Sequence, residues 1–333
     1  MTLVFRRRES IRLVWRTNIA GNWANKRTAE WRLVCRCPHG VRVCRLRIAY
    51  TCQRSGRAED AERRNKAEVP EDIQFQTKPD IAMDQIRAAM AADVPCGMVL
   101  ADAAYGNSND FRDGLTALGL PYVVGVQSSM TVWEPGKQPL PAKPRGKMGR
   151  PPRLLQRSPE HQPISVKQLA LSLPSTAFKN IAWREGAERK LRSRFAAVRV
   201  RPAHRDYWKA EPNNEEWLLI EWPQNEKEPT KYWLSTLPAN TTIKALIKIA
   251  KHRWIIERDY EELKQELGLG HFEGRNWRGF HHHATLCIAA YGFLVAERNR
   301  FSPSARAGHL RFAAPKPTPE FRPRGSPNTS RPA

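Results

Sequence analysis

In the last third of the chain, Arg253, Glu257, Tyr260 (or Glu261) and Lys264 recur at intervals of three and four residues, so a helix would set them in one stripe. Trp254, Ile255 and Leu263 would then face a core. A carboxylate flanked along one helix face by arginine and lysine suits phosphodiester chemistry, in which the acid holds a divalent ion and the cations hold the strand. A second acid, Asp102, closes the apolar run Gly97–Ala101 and precedes Tyr105-Gly106-Asn107. That text reads as strand, acidic tip, helix. Each acid also has an ordinary use: Asp102 as an N-cap, Glu257 as a solvated partner of Arg253 one turn away. Chemistry requires the fold to bring the two together.

The elements that must do so are legible in outline. An amphipathic helix is expected from Lys78, with Ile81, Ile86 and Met90 on one face, followed by the strand into Asp102 and a helix through Phe111, Leu115 and Leu118. A strand at Tyr122–Val126 completes a β-α-β alternation typical of an α/β sheet. Residues 58–133 are thus the first part of a core. Between Glu134 and Pro163 the chain is rich in Pro, Gly, Lys and Arg, a composition unable to bury a core and expected to form a mobile basic loop. Strand-like pieces then follow at Ile181–Arg184, Phe195–Val200, Trp217–Trp222 and Tyr232–Leu237, so 134–237 reads as a basic loop and a β-rich insertion. Past Pro238 and the capping residues Asn240 and Thr241, one long helical pattern runs from Ile243 to Leu267 and stops near Gly268 and Gly270. A last apolar helix, Ala284–Ala296, ends the 238–298 segment, and the Pro- and Arg-rich 299–333 reads as a disordered basic tail.

A formal net charge of +23 points to a polyanion, because a positive field attracts phosphate and releases its counterions. Nucleic acid is the leading candidate. An anionic membrane surface would use the same charge, yet no apolar run approaches the roughly 18 residues that span a bilayer. The opening residues lack the pattern of a secretory signal, so a cytoplasmic, nucleoid-associated protein is expected.

Arg253-x3-Glu257-x6-Lys264 is similar to the tail of the YREK signature, Y-x2-R-x3-E-x6-K, of cut-and-paste insertion-sequence transposases; Ala250 stands where that signature has its Tyr. Val99-Leu-Ala-Asp102-Ala-Ala-Tyr-Gly106, Trp233–Pro238 and Gly270–Trp277 resemble other text of the same group, and the likeness extends over about residues 58–298. The chain is identified on these residues as a member of the DDE transposases of bacterial insertion sequences. The resemblance implies a ribonuclease-H-like fold, a mixed sheet flanked by helices with a β-rich insertion between the second Asp and the Glu helix. It implies Asp102 and Glu257 as catalytic and metal-binding acids, with two ions of Mg²⁺ (or Mn²⁺) in an intact member. It further implies DNA contacts by Arg253, Tyr260, Lys264, Trp233, Arg275 and Trp277, with Trp233 and Trp277 as stacking candidates, though core packing is the more ordinary use of a tryptophan. The partners would be double-stranded DNA at terminal inverted repeats and target sites, bound by a homo-oligomer.

The group's first Asp is expected on an opening strand, and no text here supplies it. Residues 1–57 hold 14 Lys or Arg against Glu9 and Glu30, with no Asp and no clear hydrophobic period, which suggests an out-of-frame or disordered segment joined to the genuine frame near Gly56–Ala58. Cys35, Cys37, Cys44 and Cys52 fall in that segment beside His39, but their spacing does not make the paired motif of a zinc site. His281, His282 and His283 point in different directions on a helix and cannot share one ion, so one inward and two phosphate-facing rings are expected. Missing an acid, the chain would be a defective remnant; the alternative is a DNA-binding protein without chemistry, such as a transposition inhibitor.

Overall fold

The computed structural model describes residues 2–4, 10–17, 29–37, 40–42, 62, 64–74, 76–94, 97–143, 153–185, 190–274 and 276–301, with side chains from 62 onward except at 184, 185, 190, 254–258, 296 and 298–301. Its centre is a mixed sheet. Strand β1 (Thr2–Val4) lies on one edge; β2 (Ser10–Thr17), β3 (Ala29–Cys37) and β4 (Gly40–Arg42) form a separate antiparallel sheet. The segment 1–57 therefore contributes four strands. Helix α1 (Lys78–Ala91) starts where the sequence indicates, closed by a capping box between Thr77 and Asp80. Next come β5 (Met98–Ala101), the one-turn helix α2 (Ala103–Gly106), α3 (Asn109–Ala117) and β6 (Tyr122–Val126), with β5 and β6 parallel as the β-α-β reading requires.

The strands expected as an insertion prolong this same sheet. After β7 (Thr131–Trp133), β8 (Ile164–Ser165) and helix α4 (Val166–Ser172) come β9 (Lys179–Glu185), β10 (Lys190–Pro202), β11 (Glu216–Trp222) and β12 (Lys231–Ser235). The sheet order is β1-β5-β6-β12-β11-β10-β7-β8, with β9 pairing β10. Because side chains alternate along a strand, Val99 and Ala101 face α1 and α3 while Leu100 faces the other side. A strand buried on both faces reads as a continuous apolar run, which is why β5 and β6 were visible in the sequence. The second face packs on α5 (Ile243–Lys251) through Leu246, Ile247 and Ala250.

The single long helix expected over 243–267 is two helices. Helix α5 ends at Lys251 and α6 (Trp254–Gln265) begins after His252 and Arg253. The physical reason is that the two apolar stripes have different partners: that of α5 covers the sheet, whereas Tyr260 and Leu263 of α6 join Phe280, Ala284 and Tyr291 of α7 (Trp277–Phe301) in a separate cluster. The chain has to turn between them. Gly268, at φ +66°, closes the region in the left-handed conformation expected of a helix stop. Helix α7 is longer than the apolar stretch Ala284–Ala296 indicates, and α4, β7 and the start of β9 have no expected counterpart in the sequence pattern.

Candidate active site at the tip of strand β5

Asp102 is held by its own backbone neighbourhood. Its Oδ1 accepts from the Ala104 N–H at 3.0 Å, the N-cap role proper to a residue between strand and helix. The turn that follows lies against β6 at two glycines. A Cβ on Gly106 would stand 2.0 Å from the Gly125 carbonyl oxygen, and one on Gly125 would stand 3.1 Å from the Ala103 nitrogen. The Tyr-Gly of the motif thus has a packing reason: Gly106 permits the close approach, and the buried Tyr105 anchors it. Burial pushes the Tyr105 hydroxyl well above the usual phenol range, with the nearby Asp102 charge acting in the same direction. Asn107 accepts from the Gln127 N–H at 2.9 Å and ties the other end of the turn to β6.

The N-cap bond uses one carboxylate oxygen and leaves the other turned outward. Asp102 Oδ2 lies 3.5 Å from Arg253 Nη1, with the two side chains 41% and 32% exposed. Arg253 immediately precedes α6, so the ion pair joins the strand tip to the beginning of the helix that carries Glu257. Glu257 stands four residues further, roughly 6 Å along the helix axis. Its side chain lies outside the described residues, as do those of Trp254, Ile255, Ile256 and Arg258.

A buried clamp fixes the corner between α5 and α6. Lys251 Nζ donates to both oxygens of Glu221 on β11 at 2.6 Å, with the side chains only 11% and 7% exposed. The rings of Trp183, Trp233 and Phe195 stand 4.5, 5.5 and 5.6 Å from that ammonium. Burial lowers the Lys251 pKa, and the Glu221 carboxylate opposes the shift. No sequence signal singled out Lys251 or Glu221. Lysine in the last turn of a helix is ordinary, and its partner is 30 residues away.

The other expected site residues disperse over β12, α6 and α7. Trp233 is buried, and the Lys251 ammonium stands over its ring. Tyr260 is 2% exposed and sits in the α6–α7 cluster, with Lys264 Nζ 4.9 Å from its ring. Glu261, the other candidate for that place in the stripe, is exposed. Trp277 opens α7 half-buried, its ring 4.2 Å from that of His281 and its backbone N–H donating to the Ala67 carbonyl at 2.7 Å. Arg275 and the loop residues 144–152 lie outside the described residues. Ala250, in the place of the signature tyrosine, is buried in the core under α5.

Two of the three consecutive histidines turn inward. His281 packs on Trp277, and burial lowers its pKa to about 4; His283 Nε2 meets the Gly268 carbonyl oxygen at 3.0 Å. Only His282 is exposed. Two inward rings replace the one expected because each finds a partner, the Trp277 ring one turn back along the helix for His281 and the carbonyl of the Gly268 turn for His283. Among the described residues no group of three or more His, Cys, Asp and Glu is placed to hold a metal, and no helix is long and apolar enough to cross a membrane. The cysteine cluster of residues 35–52 has no described side chain.

A mixed sheet flanked by helices, with an acid at the tip of its parallel strand β5, is the ribonuclease-H-like arrangement. Residues 15–190 match the model of the DDE superfamily endonuclease family, and the chain belongs to that family. No curated protein matches it.

Proposed function

We propose that the chain is a transposase of an insertion sequence, built to cleave DNA and transfer strands at the ends of its own element. The observation that carries this reading is the Arg253–Asp102 ion pair, because it sets the first turn of the Glu257 helix beside the β5 tip. Asp102 and Glu257 are the catalytic acids. Arg253 and Lys264 hold phosphates, with Trp277 and Arg275 as further DNA contacts, and steep salt dependence follows from such contacts. Carboxylate oxygens are the hard donors that Mg²⁺ or Mn²⁺ prefers, and the outward, partly exposed Asp102 Oδ2 suits one. Bound there by Asp102 and Glu257, such ions would supply an activated oxygen nucleophile and stabilise the leaving oxygen. Until an ion or phosphate arrives, Arg253 neutralises Asp102 at the strand tip.

Residues 1–57 hold no Asp to serve as a first acid, and two carboxylates alone would hold a metal pair poorly. We infer a defective remnant in which those residues are read out of frame. The family match takes in residues from 15 onward, and the upstream DNA distinguishes the two readings: a strand ending in Asp in another frame supports the remnant. Metal-dependent nicking of an end-containing duplex tests the activity itself. The expected result is little or none; robust nicking abolished by Asp102→Ala would overturn the defect while supporting the assignment. The missing acid also favours a second reading, a non-catalytic DNA-binding inhibitor of transposition. Its mark is salt-sensitive duplex binding that survives Glu257→Gln with no nicking under any divalent ion.

A further inference from the structure

Helix α7 is apolar on two opposite faces, and the chain covers one of them. Between His283 and Glu297 it carries no charged residue. Ala284, Cys287, Tyr291 and Val295 turn one face into the cluster shared with Tyr260 and Leu263 of α6. The other face holds Thr285, Leu286, Ala289, Ala290, Phe293 and Leu294, all exposed. Leu286 is 58% exposed and Phe293 64%, the latter the most open large apolar residue among the described side chains. A helix that is apolar all round is normally buried all round, so α7 has a face left to fill. Its open side chains form an apolar patch on the order of a few hundred Å², the size at which exposed patches mark contact sites.

The spacing of this face is symmetric about its own midpoint. Leu286, Ala289, Ala290 and Phe293 follow one stripe, with the large side chains outside and the small ones between them. Two such helices laid antiparallel, with a two-fold axis between Ala289 and Ala290, bring Leu286 level with Phe293 of the partner subunit, twice over. The alanines then sit at the crossing, where short side chains let the backbones approach. The same register sets the exposed His282 level with Glu297 of the partner subunit, so no like charges meet at the ends of the stripe. Two copies of a chain with a formal net charge of +23 repel each other, and a face without charge is where they can still meet.

We propose that this face of α7 pairs antiparallel with α7 of a second copy of the chain, about an axis between Ala289 and Ala290. The pairing is independent of DNA and uses no residue of the β5 tip. Residues 302–333, which follow α7 in the chain, match the stripe poorly: they hold seven prolines and six Lys or Arg against three large apolar residues, Leu310, Phe312 and Phe321. A standard stable interface buries roughly 800 Å² on each partner and one helix face supplies less, so a dissociation constant of about 1–100 µM is expected.

Sedimentation equilibrium of the full chain without DNA, at about 1–200 µM, tests it. The wild type should show a monomer–dimer equilibrium in that range. Leu286→Lys and Phe293→Glu should each weaken self-association by about ten-fold or more, because each buries a charge against an apolar side chain at both ends of the interface. Both positions are exposed in the single chain, and thermal melting verifies that the variants fold. An equimolar mixture of the two variants should recover the dimer: the two substituted positions then face each other at one end, and the native Leu286–Phe293 pair remains at the other. A wild type that stays monomeric overturns the proposal, as do single variants that dimerise as tightly as the wild type. A mixture that stays monomeric refutes the antiparallel register.

Discussion

Strand β11 carries a glutamate near each end, and the two ends of the sheet use them in opposite ways. Glu221 and Glu216 are nearly equally buried, at 5% and 8% exposure. Glu221 faces α5, where the Lys251 amine group donates to both of its oxygens. Glu216 faces α3 and meets a neutral hydroxyl, Tyr122, and burial raises its pKa. Burial alone therefore does not set the character of a site. The end that holds Asp102 and Arg253 gives its buried glutamate a cation, and the far end gives its own a neutral hydroxyl.

The largest effect should come from breaking the charged end. Lys251→Met leaves the Glu221 carboxylate buried without its cation, which costs about 3–5 kcal/mol when one partner of such a pair is removed. The double variant Lys251→Met, Glu221→Leu should recover most of that loss in a urea titration, because an apolar pair of similar size tolerates the site. If the single variant is as stable as the wild type, the clamp is not what holds the α5–α6 corner. The comparison of the two ends would then lose its charged half.

A smaller loss is expected at the β5 tip. Gly106→Ala forces a methyl to within 2.0 Å of the Gly125 carbonyl oxygen, and because that neighbour is backbone the α2 turn must move. Overpacking of this kind costs about 1–3 kcal/mol. Gly119→Ala is the contrast: a Cβ there meets nothing within 4 Å, so only the strain of its φ of +67° remains. Equal melting temperatures for the wild type and Gly106→Ala would show that the turn is not wedged against β6, and that Asp102 is free to shift.

What the sequence disclosed and what it concealed divide along the same line. Asp102 was legible because a strand buried on both faces is a continuous apolar run and its acid stands at the end of it. The charge stripe of α6 was legible because helical spacing is local. The turn at His252–Arg253 was not, since the apolar pattern runs through it unbroken and only the separate destinations of the two stripes require a bend. Tyr260 fits the stripe by spacing but is buried, because α7, which begins only at Trp277, covers that flank of α6. Glu221 and Glu216 looked alike in the sequence, Glu-Trp in both places. Their difference lies in residues 30 and 94 positions away.

The smallest effect tests the neutral end. Glu216 has a folded pKa above its ordinary value of 4.5, so between the two the native chain keeps a proton that the unfolded chain has lost. The stabilisation from this group is complete below the ordinary value and declines as pH rises through the window up to the folded value. Glu216→Gln keeps a neutral acceptor for the Tyr122 hydroxyl, so at pH 4 the variant should differ from the wild type by less than about 1 kcal/mol. Because the amide does not titrate, the wild type should lose stability relative to the variant as pH is raised from 4 toward 7. Urea midpoints of both proteins at steps of pH measure this directly. Parallel profiles would mean that Glu216 keeps no extra proton in the fold, and the two ends of the sheet would no longer differ in kind.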